Sequence, residues 1–308
     1  MKFTDLAVAG VLVLAASVAA AAAPAKIDID DTLVFPESLS SGADGTLYIG
    51  SLTKGVIYRA LPGAAKAETW ISNEAIGAKM VLGVLADAKT GTLWVCTDTR
   101  ETGEATLKSF SLRSGKPKAS YPFPGGGFCN DIALKGGAAY VTDTKNGRIL
   151  ELRRGAAVLT LWYQGDPADS SLDGITFARD GNVYTNAYRT SHLIRVAVNP
   201  DGTAGAGTLL DTNIPLYQPD GIRLTPDGRM LMVEGQGESG NGRLDEITVQ
   251  GNNATVKVLK DGFMLPTAVT VIGHTAWVLE AKLNYQRDPA LKDKDPGTFS
   301  VYAVALPK

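Results

Sequence analysis

The side chains best suited to chemistry in this sequence are oxygen donors that recur at long, even intervals. Glu37, Asn130, Asp173, Asp220 and Thr267 each open an alternating apolar segment, and Gly83 falls in the same phase. They stand within Pro36-Glu37, Cys129-Asn130-Asp131, Leu172-Asp173-Gly174 and Pro219-Asp220-Gly221. If the chain brings these positions together, three carboxylates share one small space. They repel strongly unless a cation lies among them. Carboxylate and amide oxygens are hard ligands, which places calcium first among divalent cations, with manganese, magnesium or zinc as alternatives. A cation so held polarises a carbonyl and acidifies a bound water. The bland reading of any single site is that Asp-Gly and Pro-Asp-Gly are turn formers; Glu37 does not fit it.

Other chemistries find little support. The two histidines, His192 and His274, are not spaced as a zinc-binding pair and read as surface or packing residues. There is no Gly-x-Ser-x-Gly elbow. Residues 235–240 match a dinucleotide-loop pattern, but no amphipathic helix follows, so they read as a hairpin loop.

A repeat supplies the elements that position the donors. Tyr48, Trp94, Tyr140, Tyr184, Leu231 and Trp277 centre six short apolar strands, separated by 46, 46, 44, 47 and 46 residues. A strand ending in a turn precedes each, and a third strand follows most of them, with no helical period between. Even strand–turn–strand units of this length are the sequence form of propeller blades, which bury their faces only against neighbouring blades. The expectation is an all-β, six-bladed β-propeller of four-stranded antiparallel blades. Residues 26–34 would pair beside residues 298–304 to close the ring and remove two exposed edges. Counting back from each marker to the start of its blade gives Glu37, Gly83, Asn130, Asp173, Asp220 and Thr267 as a ring at one mouth of the channel.

The apolar, alanine-rich stretch following Lys2 reads as a signal peptide over residues 1–23, leaving one domain over 24–308 and an exported protein, periplasmic or extracellular. A net charge of −2 gives no electrostatic footprint for nucleic acid, and no other apolar run is long enough to span a bilayer. The partner expected is therefore a small-molecule substrate. Cys96 and Cys129 fall on the mouth face of adjacent blades, so one bridge and two buried thiols are both open.

The pattern Pro36-Glu37, Asn130-Asp131, Asp173-Gly-Ile and Pro219-Asp220-Gly-Ile resembles the gluconolactonase and regucalcin (senescence marker protein) family of six-bladed propellers over about residues 33–305. The resemblance implies a metal-dependent lactonase or carboxylic ester hydrolase. By position, Glu37 and Asp220 match its acidic metal ligands, and Asn130 matches its substrate-side asparagine. Asp173 stands where the family usually has an asparagine ligand, and Phe128 where some members carry a sugar-binding arginine. The expected site is then Glu37, Asp173 and Asp220 as metal ligands, with Asp220 as general base and Asn130 orienting a small, rather apolar lactone or ester. Phe35, Phe123, Phe128, Trp162, Tyr217, Phe263 and Met264 could line its pocket, although packing is the simpler reading of each. Residues 286–296 form a surface loop or partial lid. A non-catalytic propeller of the NHL kind, with a structural cation, is the chief alternative, since fold does not decide function. A metal-free lyase of strictosidine-synthase type is the other.

Overall fold

The computed structural model describes residues 24–99, 102–235 and 241–307. The leader expected over residues 1–23 lies outside the described residues. The innermost strands of six blades are Pro36–Ser41, Met80–Asp87, Cys129–Lys135, Leu172–Phe177, Pro219–Leu224 and Pro266–Ile272. Each is followed outward by antiparallel partners in the order of the chain, and successive inner strands pack side by side around the channel.

The repeat markers explain why blades form. Most of them are buried, and they sit on the second strands, which are covered on both faces. Tyr140 of blade 3 meets Trp162 of its own blade at 5.2 Å between ring centroids and Phe177 of blade 4 at 4.8 Å. Such edge-on aromatic packing fills the wedge between neighbouring sheets. The same wedge holds Ile149, Leu172, Ile175, Val183 and Val196, while Tyr48, Ile57, Val81, Val84 and Val95 fill the one between blades 1 and 2.

Closure follows the expected route. Lys26–Ile29 becomes the outer strand of blade 6, pairing antiparallel with Ser300–Ala305 through Lys26↔Tyr302, Ile27↔Val301 and Asp28↔Ser300. Its other edge pairs parallel with Lys66–Ile71 of blade 1, so blades 6 and 1 share one continuous eight-stranded sheet. Blade 5 gains a fifth strand, Asp211–Thr212, parallel to Asn253–Phe263. No helix among the described residues is long and apolar enough to cross a membrane.

Candidate functional site at the channel mouth

Every inner strand breaks register with its partner at the ring position. The shifts fall between Pro36 and Ser38, Val81 and Val84, Cys129 and Ile132, Leu172 and Ile175, Pro219 and Ile222, and Pro266 and Ala268. Glu37, Gly83, Asn130, Asp173, Asp220 and Thr267 therefore all lie in β-bulges. A bulge interrupts side-chain alternation and re-aims a side chain. These six residues, with Asp131, Arg223 and a few neighbours, line one cavity. Its volume of about 10 Å³ is the room that one water-sized sphere takes.

A bulge frees backbone groups from the ladder, and these must find other partners. The residue opposite the bulge supplies them and at the same time reaches the next blade. In blade 3, Thr142 Oγ1 accepts from the Asp131 N–H (2.9 Å) and donates to the Asp173 carbonyl (2.7 Å). In blade 4, Asn186 accepts from the Gly174 N–H (3.0 Å) and donates to the Asp220 carbonyl (2.6 Å). In blade 2, the equivalent residue is Cys96, bonded through sulfur to Cys129 of blade 3 with 5.2 Å between Cα atoms. The bridge left open by the sequence thus forms, and it anchors the residue preceding Asn130.

The Asp-Gly pairs are not turns. Both lie inside inner strands, and their glycines admit the neighbouring backbone. A Cβ on Gly174 would meet the Asp220 carbonyl at 2.4 Å, and one on Gly83 would meet the Asn130 carbonyl at 2.2 Å. Gly83 bears no donor because no side chain fits there. Three strand starts are also strained. Phe35, Gln218 and Leu265, each preceding a proline, hold φ of +39°, +50° and +47° just before Glu37, Asp220 and Thr267. Non-glycine residues occupy this region at a cost, and they do so disproportionately at functional sites.

The carboxylates are buried and aware of one another. Asp173 and Asp220 are 7% and 8% exposed, whereas Glu37 is partly buried. Burial, then the neighbouring charges of Asp173 and Asp131, pushes the Glu37 carboxyl well up. Burial, then Asp173 and Glu37, does the same to Asp220, with Arg287 opposing. Asp173 is raised to about 7, chiefly by burial and Asp131, despite hydrogen bonds with Asn130 and Asp220. Asn130 Nδ2 also donates to Thr144 Oγ1 (2.9 Å), which fixes its amide. The Thr267 hydroxyl is buried with no hydrogen-bond partner. Among the described residues, no three His, Cys, Asp or Glu side chains stand close enough together to form a ready-made metal site.

Two charged residues of the cavity escaped sequence reasoning. Asp131 follows a ring residue, and alternation would turn it away; the two-residue bulge keeps it at the channel. Arg223 lies three residues after Asp220 and grips Asp131 from across the channel. Tyr188, in a loop, and Arg287, at the end of the short helix Asn284–Arg287, join over the mouth where no repeat signal runs. His192 is half-exposed and bonds Asp169 rather than a ring residue, and His274 lies in the turn before Thr275–Glu280. Of the seven aromatic and apolar mouth candidates, none lines the cavity. Phe35, Phe123, Phe128, Trp162 and Phe263 pack into the blade cores, because the bulges give the channel wall to short polar side chains.

Fold and site together define a six-bladed propeller with a carboxylate-rich cage where its inner strands begin. No family model matches this chain, and no curated protein matches it significantly. Solved structures do match. The gluconolactonase of Xanthomonas campestris aligns at TM-score 0.64 and 14% identity, covering 89% of this chain and 88% of that one. The calcium-binding protein regucalcin of Agrobacterium tumefaciens aligns at TM-score 0.64 and 14% identity over 92% and 95%. The virginiamycin B lyase of Staphylococcus aureus aligns at TM-score 0.60 and 13% identity over 91% and 98%. At such identities the likeness establishes the shared propeller architecture.

Proposed function

We propose that this protein hydrolyses a small lactone or ester at the channel mouth, using one divalent cation, calcium first. The observation that carries the reading is the convergence of Glu37, Asn130, Asp173, Asp220 and Thr267 on a single cavity of one-ion size. Their chemistry suits a hard cation. Burial and then mutual repulsion drive the carboxyls toward protonation, and the Thr267 hydroxyl is buried without a partner. Glu37, Asp173 and Asp220 would hold the ion. Once bound, it would supply carbonyl polarisation and an acidified water.

The chain's own residues do the rest. Asp220, in the cage beside Asp173, accepts the proton of the attacking water as general base. Asn130, its amide fixed by Thr144, orients the substrate carbonyl. Asp131 stays tied to Arg223. Gluconolactonase is among the propellers whose fold this chain shares, alongside virginiamycin B lyase, so the choice of hydrolysis rests on the cage rather than on the likeness.

Turnover of a panel of γ- and δ-lactones tests it, with calcium, manganese, magnesium, zinc or a chelator present. Hydrolysis should require the cation. Glu37→Gln and Asp220→Asn should each lower the rate about 100-fold or more, the scale of losing a key electrostatic stabiliser. Unchanged turnover in either variant removes the mechanism. One observation favours a second reading, a ligand-binding propeller with a structural cation: the carboxylates are not gathered into a finished three-ligand site. Tight cation binding with no turnover of any panel member would select it.

A further inference from the structure

Arg287 and Tyr188 meet above the ring from blades that are not neighbours. Tyr188 follows the second strand of blade 4, Val183–Ala187, and its N–H donates to the Ser171 carbonyl (3.0 Å), two residues before Asp173. Arg287 ends the short helix Asn284–Arg287 that follows the second strand of blade 6. That strand ends at Glu280, which pairs with Pro266 beside Thr267. Arg287 Nη1 donates to the Tyr188 hydroxyl (2.8 Å), and the guanidinium lies 5.8 Å from the ring centroid. The contact therefore spans the blade between them, blade 5, which contributes Asp220. Its charge also favours ionisation of both Asp173 and Asp220.

A guanidinium has five donors in a planar fork that fits a carboxylate. Arg287 commits one of them to Tyr188, is exposed, and forms no ion pair with a carboxylate among the described residues. It is thus a cation poised at the rim of a cage that otherwise repels anions. We propose that Arg287, held in place by Tyr188, is a carboxylate-binding subsite, and that the substrate is a lactone or ester bearing a free carboxylate. This rests on the hydrolase reading above. The substrate's carboxylate docks on the free edge of the guanidinium while its ester carbonyl points into the cage. The anion is thereby kept off Glu37, Asp173 and Asp220.

The test compares a γ-lactone carrying a carboxylate with its neutral primary amide, in wild type, Arg287→Met and Arg287→Lys. Wild type should favour the carboxylate in kcat/KM. Arg287→Met should reduce that preference about 30-fold, the scale of a lost charge-assisted pair, and Arg287→Lys should restore part of it. Equal losses on both substrates would overturn the proposal and make Arg287 a tuner of the ring alone. So would a wild-type preference for the amide. A second measurement does not depend on turnover. Calorimetric binding of the corresponding γ-lactam carboxylate should weaken about 10-fold in Arg287→Met. Unchanged binding overturns the subsite even if hydrolysis is observed. Weakened binding without hydrolysis retains the subsite and rejects the hydrolase.

Discussion

Arg223 of blade 5 and Asp131 of blade 3 form a fork-on-fork ion pair across the channel, with Nη1–Oδ2 at 2.6 Å and Nη2–Oδ1 at 2.7 Å. Asp131 Oδ2 also accepts from the Ile175 N–H of blade 4 (3.0 Å). One carboxylate thus joins three consecutive blades, while its charge still raises Glu37, Asp173 and Asp220. Breaking a buried pair strands its partner, which costs far more than replacing both. Asp131→Asn and Arg223→Met should each destabilise the protein by about 3–5 kcal/mol in urea unfolding. The double variant should lose less than the sum. Single losses under about 1 kcal/mol would show that the pair is solvated and dispensable.

Stability should fall as pH rises through neutrality when no divalent cation is present. Asp173 is raised to about 7, and Asp245 to about 8 by burial and by its hydrogen bond and charge contact with Glu234. The folded state keeps protons that the unfolded chain releases near pH 4. Their contribution is therefore complete below that point and is lost as pH rises through about 7 and 8. The slope should approach about 1.4 kcal/mol per pH unit for each proton retained. Saturating calcium should remove the part due to the ring, and Asp245→Asn the remainder. Stability that climbs steadily from pH 5 to 8 would contradict the assignment.

The Cys96–Cys129 bridge closes a loop with a sequence separation of 33 and holds the strand start that carries Asn130. Replacing both cysteines with alanine should cost about 3 kcal/mol, the scale of loop-closure entropy for such a span. Substrate KM should also rise, since Asn130 loses its anchored neighbour. Equal stability of the reduced and oxidised protein would show that the wedge between blades 2 and 3 suffices without it.

The propeller was legible because each blade writes one aromatic or large apolar residue, Tyr48 to Trp277, at nearly fixed spacing. The ring was legible for the same reason: a fixed offset from a repeat marks equivalent positions whatever their local geometry. The bulges were not legible. A bulge changes which residues share a face without changing composition, so nothing in the sequence singled out Asp131, and a turn stayed open as the plain reading of each Asp-Gly pair taken alone. The residue opposite each bulge did carry a signal. Cys96, Thr142 and Asn186 follow Gly83, Asn130 and Asp173 at similar offsets, and all three reach the next blade. Arg287 lay within residues 286–296, read as a surface loop or partial lid, and Tyr188 was not singled out, since segments of unequal length between strands obey no period.

The most direct test of the cation cage is a calorimetric titration of calcium into chelator-treated protein, repeated in buffers of different ionisation enthalpy. One ion should bind per chain and release protons, because burial and mutual repulsion raise the carboxyls of Glu37, Asp173 and Asp220 until a cation joins them. Asp220→Asn should weaken binding about 30-fold or more, the scale of a lost buried charge contact. Absence of binding by calcium, manganese, magnesium and zinc alike, or binding unaffected by Asp220→Asn, would contradict the account.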